Sequence, residues 1–211
     1  FAGELAVILD RGMQEMMVEQ QDVFYYVTLM NENYAQPDLR AGATADIIRG
    51  CYQFNSYSRP SDKDKSPKTL ENVTLLGSGA ILTEVIKAAQ QLADQGIQAT
   101  VYSVTSWSEL ARDGAACQQR TLNGTVTPEG AQTEAFITQQ LRRSHGPIIA
   151  ATDYVRAVPE SIRAFLPEGR AYLTLGTDGF GRSDTRAALR EFFGVNAQSI
   201  VNAALHLLQT K

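Results

Sequence analysis

Cysteine and histidine are scarce: Cys51, Cys117, His145 and His206 are all that the 211 residues contain. Four such residues without CxxC-like spacing exclude a structural zinc site and a disulfide framework. Both cysteines read as reduced thiols, as in a cytoplasmic protein. No apolar run approaches the ~18–20 residues needed to span a bilayer. The opening residues FAGEL have no initiator Met and no basic n-region, so they do not read as a signal peptide and read instead as part of something longer. Positive charge is not in excess, with 19 Lys and Arg against 23 Asp and Glu and a net charge of −4. The basic residues are scattered, which excludes nucleic acid and anionic membrane surfaces as partners. Compositional bias is missing too: 44% apolar and 20% charged residues are ordinary globular values, unlike a disordered tail, a collagen-like rod or a coiled coil. At ~150 residues per domain the length gives more than one domain and hardly two. A unit of this size buries roughly 70% of its unfolded surface and needs no staple.

What is present is periodic. Leu5, Ile8, Leu9, Gly12, Met13, Met16 and Met17 recur at helical spacing as one apolar stripe, of the kind used as core filler. If the sheet it packs on lies outside the chain, that Met-rich face is left exposed. The next run, VFYYVTLM (23–30), is β-branched and aromatic, which predicts a buried strand of a parallel sheet. NENYAQP (31–37) closes it as a polar loop. One helix and one strand cannot make a domain, so residues 1–40 read as the end of a truncated α/β unit. Residues 41–69 read as a linker, clearest in NSYSRPSDKDKSPK (55–68). From about residue 70, strands and helices alternate. A strand at 73–76 turns through Gly77-Ser78-Gly79 into a helix whose buried face is Ile81, Leu82, Val85, Ile86, Ala89, Leu92 and Ala93, ended by Gly96. Further strands are expected at 97–104, 146–152 and 172–177, and helices at 158–166, at 184–193 and around Ile200, Val201, Ala204, Leu205 and Leu208. The pattern predicts an α/β domain over 70–211, a mostly parallel sheet with helices on both faces.

Gly77-Ser78-Gly79 opens a helix after a strand, as dinucleotide-binding turns do. Leu82, however, stands where that fingerprint needs Gly or Ala, and no acid follows the second strand, which ends Tyr102-Ser103-Val104. A plain tight turn remains. The glycines flank Ser78 directly, unlike a nucleophile elbow, and neither histidine has a spacing that makes it a base. The densest cluster is Gly176, Thr177, Asp178, Gly179, Phe180, Gly181, Arg182, Ser183 and Asp184. Three glycines within six residues open the backbone to positive φ. Ser183 or Asp184 is placed to cap the following helix, whose free N–H groups with Arg182 suit an anion. The loop reads equally well as a turn packed against a neighbour, so it is a candidate for either an anion site or an interface. TSWSELARDG (105–114) also follows a strand end. There Trp107, Arg112 and Asp113 are a candidate interface, with Arg112 and Asp113 paired, against the plainer reading of a loop opening a short helix.

These segments carry a resemblance. YYVTLMNENY (25–34), LLGSG (75–79), VYSVTS (101–106), ELARDG (109–114), TDY (152–154) and LGTDGFGRSD (175–184), in that order, resemble the carboxyl-terminal region of the homodimeric bacterial pyruvate dehydrogenases, members of the transketolase superfamily. The resemblance spans nearly the whole chain, and LGTDGFGRSD with SVTSWSELARDG (103–114) is its most specific part. It implies that residues 1–40 end a pyrimidine-binding domain and that 70–211 form a transketolase-like carboxyl-terminal domain. It also implies thiamine diphosphate and Mg²⁺ as cofactors, oxidative decarboxylation of pyruvate, and acetyl transfer to lipoyl groups of a dihydrolipoamide acetyltransferase component. A cytoplasmic homodimer, with no nucleic acid or membrane partner, belongs to the same picture. The cofactor performs the carbanion chemistry while the protein positions it. In that family the cofactor ligands, the activating glutamate and the acid–base histidines lie upstream of residue 1. The resemblance therefore implies no catalytic, cofactor-binding or metal-ligating residue here, and a fragment that is structural, dimer-supporting and inactive alone. Phe180-Gly-Arg-Ser-Asp-Thr185 departs from the phenylalanine-glycine-x-serine-alanine-proline of transketolases and favours the dehydrogenases. The alternative is a free-standing small-anion or nucleotide-binding regulatory module.

Overall fold

The computed structural model describes residues 1–59, 71–123 and 134–210. Its strands are short and apolar: β1 (Cys51–Tyr57), β2 (Asn72–Gly77), β3 (Gln98–Val104), β4 (Ile148–Ala151) and β5 (Tyr172–Leu175). They form one sheet in the order β1-β3-β2-β4-β5. β2 to β5 run parallel, and β1 is antiparallel on the β3 edge. The helices are α1 (Ala2–Met13), continued by a π-helical turn at Gln14–Val18, then α2 (Thr44–Ile48), α3 (Leu82–Asp94), α4 (Trp107–Leu122), α5 (Phe136–Leu141), α6 (Ala157–Glu160), α7 (Arg186–Phe192) and α8 (Ala197–Gln209).

Alternation along each strand sends successive side chains to opposite faces, and both faces are covered. Val73, Leu75, Ala99, Val101, Ile149 and Ala151 pack under α3 and α8. Leu76, Tyr102, Val104, Ile148, Ala150 and Tyr172 pack under α4 and α5. Each fully buried Leu, Ile or Val contributes roughly 1.5–3 kcal/mol relative to leaving it exposed, so these two layers dominate stability. A third cluster, Ala43, Ile47 and Tyr52 with Val7, Ile8 and Phe54, ties α1 and α2 to β1. The sheet is mostly parallel and helices cover both faces, as the alternation predicts.

Four expectations need correction. Residues 23–30 form no strand: they run irregularly, with Phe24, Tyr26 and Leu29 exposed. A strand needs a neighbour to take its backbone hydrogen bonds, and no ladder partner lies beside this segment among the described residues. The Met stripe of α1 is not core filler here, since Met13, Met16 and Met17 are exposed. The first part of the expected 41–69 linker folds: α2 and β1 occupy it, and Cys51 and Tyr52 are buried. β1 carries a register shift between Gln53 and Asn55, a bulge of the sort that blunts an edge strand. The remainder of that stretch, 60–69, lies outside the described residues. Finally, the helix expected at 158–166 is only α6 followed by a 3₁₀ turn at Arg163–Phe165.

Candidate functional site

Open α/β sheets place their sites at the carboxyl ends of parallel strands, where strand order reverses. Here β2 is followed in sequence by β3 on one side, and β4 lies on its other side, so the reversal falls between β2 and β4. Ser78 leaves β2 and Thr152 leaves β4, and their buried hydroxyls meet at 2.7 Å. Gly77 is needed for the turn, because a Cβ there would sit 2.9 Å from Val85 Cγ2 and 3.0 Å from Leu82 Cα. The close helix–strand approach that the dinucleotide fingerprint assigns to a later glycine is made at Gly77 instead. Gly79 adopts φ +54°, and the Asp153 carboxylate lies 3.7 Å from its would-be Cβ. Burial pushes the Asp153 carboxyl above the ordinary aspartate range and Glu32 adds to the rise, while its own backbone N–H and Arg190 oppose it.

A stretch of the amino-terminal segment lies over this crest. Thr28 hydrogen-bonds the Tyr154 hydroxyl, and Arg186 donates to the Asn31 carbonyl. Glu32 pairs with Arg190 at 2.5 Å and Arg186 at 3.7 Å. Further back, α1 is pinned to the sheet by the buried Glu4, which accepts from Tyr52 Oη at 3.0 Å and Ser103 Oγ at 2.5 Å. Tyr25 covers Gly12 and donates to Glu15 at 2.5 Å; burial, then that bond, pushes its hydroxyl up to about 12. None of these partnerships was expected from sequence. Residues 4, 32, 84, 153 and 190 are far apart in the chain, and no spacing rule joins them. A charged residue on an apolar helix face, such as Glu84 beside Val85, was the available sign.

The loop at 176–184 is half clamped and half free. Thr177 donates its backbone N–H to the Tyr154 carbonyl at 2.9 Å and its hydroxyl to the Asp153 carbonyl at 2.6 Å. Asp178 accepts from Arg156 N at 2.8 Å and Nε at 2.5 Å, and that guanidinium holds its carboxyl below the usual range. Gly176 admits no side chain, since a Cβ would lie 2.6 Å from the Tyr154 carbonyl oxygen. Beyond Gly179 the loop stands out, with Gly181, Ser183 and Asp184 exposed and Phe180 93% exposed. Arg182 stacks over the Phe192 ring at 5.1 Å. The cap of α7 is Thr185, not Ser183 or Asp184: its hydroxyl accepts from Ala188 N, and Asp184 accepts from Thr185 N. The second cluster is also rearranged. Trp107 is buried in the α4–α5 layer as core and opens a helix of 16 residues rather than a short one. Arg112 pairs with Glu109, not with Asp113. Asp113 accepts from Phe136 N at 2.6 Å, capping α5, and faces Arg49 at 3.9 Å.

Chemically, the crest can hold a segment and exchange hydrogen bonds. Among the described residues no three His, Cys, Asp or Glu side chains converge on a metal position. Burial pushes the Cys51 thiol up, away from reactive thiolate. Among the described residues no helix is long and apolar enough to cross a membrane.

The family profile described as a transketolase-like TK C-terminal domain matches residues 61–196. The chain belongs to that family. A second profile, the pyruvate dehydrogenase E1 component middle domain, matches residues 1–37. The chain is 45% identical over 210 residues to the pyruvate dehydrogenase E1 component of Cupriavidus necator, covering 99% of this chain and 22% of that protein. It is 44% identical over 209 residues to the same component of Pseudomonas aeruginosa, with 99% and 22% covered. A transketolase structure from Pichia stipitis aligns over 82% of this chain and 20% of that one, at 14% identity and a TM-score of 0.47. This member of the transketolase-like C-terminal domain family thus spans about a fifth of the length of the curated relatives it matches.

Proposed function

We propose that this chain is part of a pyruvate dehydrogenase E1 component, in which residues 70–211 are a supporting carboxyl-terminal domain and residues 1–40 end the middle, pyrimidine-binding domain. The observation that carries this reading is the 45% identity to the Cupriavidus necator component along 99% of the chain. The whole enzyme decarboxylates pyruvate oxidatively with thiamine diphosphate and Mg²⁺. It passes the acetyl group to lipoyl groups of a dihydrolipoamide acetyltransferase component. It works as a cytoplasmic homodimer, and the exposed tip of loop 176–184, led by Phe180, faces a neighbouring domain or protomer.

Within that enzyme the chain frames the reaction and does not perform it. A diphosphate with its divalent cation needs free cations or backbone amides and converging oxygen ligands. The crest offers Glu32, Glu84 and Asp153 around an arginine that is already paired, and Arg182 is engaged with an aromatic ring. These residues do not fit the cofactor, whose ligands belong to the rest of the enzyme. Pyruvate- and thiamine diphosphate-dependent ferricyanide reduction tests the reading on two proteins, the 211-residue chain and the full-length enzyme proposed to contain it. Activity confined to the longer protein is expected. Activity in neither would overturn the assignment.

A further inference from the structure

Residues 20–40 carry exposed aromatic and aliphatic side chains, yet what joins them to the sheet's carboxyl crest is polar. Glu32 is the centre of that contact. Its carboxylate meets Arg190 Nη2 at 2.5 Å and Arg186 Nε at 3.7 Å, and the neighbouring Asn31 carbonyl accepts from Arg186. Arg190 reaches in the other direction to Glu84 Oε1 at 3.5 Å. Glu84 is fixed on α3: Lys87 donates to Oε1 at 2.8 Å and the Ala197 backbone N–H, in the first turn of α8, to Oε2 at 3.1 Å. The three side chains Glu32, Arg190 and Glu84 are 16%, 14% and 9% exposed. The relay is therefore largely withdrawn from water, where a charge that loses its partner is costly.

We infer that Arg190 is an ionic latch that holds residues 28–36 against the carboxyl crest of the sheet. Glu84 is the fixed end, Arg190 the bolt and Glu32 the catch. Because Glu84 is anchored by α8 and Lys87, removing Arg190 frees the segment without opening the α3–α8 layer, whose packing is mainly apolar and which keeps the Ala197–Glu84 bond. The latch belongs to this chain's geometry and stands whichever enzyme the chain serves.

Backbone ¹⁵N order parameters of the 211-residue chain test this directly. In the wild type at low salt, residues 28–36 are expected near the rigid value of about 0.85 and, in Arg190→Met and Glu32→Gln, below about 0.6. β2 to β5 stay rigid in both variants. Arg186→Gln, which leaves the Arg190–Glu32 pair in place, keeps the segment ordered. Rigid residues 28–36 in both Arg190→Met and Glu32→Gln would overturn the latch. If Arg190→Met loses dispersed signals throughout the sheet, Glu32→Gln decides, because Glu32 lies on the segment itself. A released segment in that variant supports the latch and an ordered one refutes it.

Discussion

Asp153 shows how one residue's surroundings become a pH dependence. Its folded pKa is raised, chiefly by burial, so the folded chain binds a proton more readily than the unfolded one. Stability from this group is therefore present at low pH and is lost as pH rises through the raised value. Asp153→Asn should be more stable than the wild type near neutrality, and its stability should vary less between mildly acidic and neutral pH. Urea melts at the two pH values check this, and a variant weaker than the wild type at neutrality would contradict it. At the opposite end of the sheet Arg170 is a neutral-acceptor hub. It donates to the Gly146 carbonyl at 2.7 Å, the Leu141 carbonyl at 2.7 Å and the buried Thr74 hydroxyl at 2.6 Å. Arg170→Ala removes the guanidinium from all three acceptors, of which only the Leu141 carbonyl keeps a bond from Ser144, and should cost about 3 kcal/mol in chemical denaturation. A loss well below ~1 kcal/mol would mean that water replaces the guanidinium. Sequence gave no hint of this role, because an arginine that serves carbonyls has no partner residue type to look for.

Among the elements, those buried on two faces were legible and those at edges were not. β2, β3, α3 and α8 appear where the apolar periodicities put them, since their apolar side chains belong to the layers. β1 was hidden because CYQFNSY is half polar: its first two residues are buried and Asn55 and Ser56 face solvent. The run at 23–30 departs from its pattern for the opposite reason. Its residues suit a buried strand, but periodicity reports only what a segment can pair with, not whether a partner is present. The consequence is an apolar surface at Phe24, Tyr26 and Leu29, 87%, 86% and 71% exposed, and such surfaces self-associate. Sedimentation of the isolated chain should show mass growing with concentration, and the triple variant Phe24→Ser, Tyr26→Lys, Leu29→Ser should suppress that growth. Identical profiles would mean that another surface drives association. The candidate site was legible only in part. The sequence marks loop 176–184 as a candidate, whereas the switch point emerges only with the strand order and Glu32, Glu84 and Arg190 meet through tertiary folding alone. Trp107 reads the same in sequence whether it anchors an interface or fills the core.

For the molecule as a whole, the role proposed above is that of a transketolase-like C-terminal domain that supports a pyruvate dehydrogenase E1 component without supplying its catalytic groups. Two covered faces give the domain its main core, and the amino-terminal segment attaches to it through Phe1, the Val7–Ile8 cluster, Glu4 and the crest. The most direct measurement is a graft. The chain would replace the aligned 210 residues of the Cupriavidus necator component, to which it is 45% identical. Pyruvate- and thiamine diphosphate-dependent ferricyanide reduction would then be compared with the same component lacking that region. Activity in the graft, none in the truncated component and none in the isolated chain is the predicted result. A graft that folds and stays inactive, or an isolated chain that turns over pyruvate, would contradict the claim.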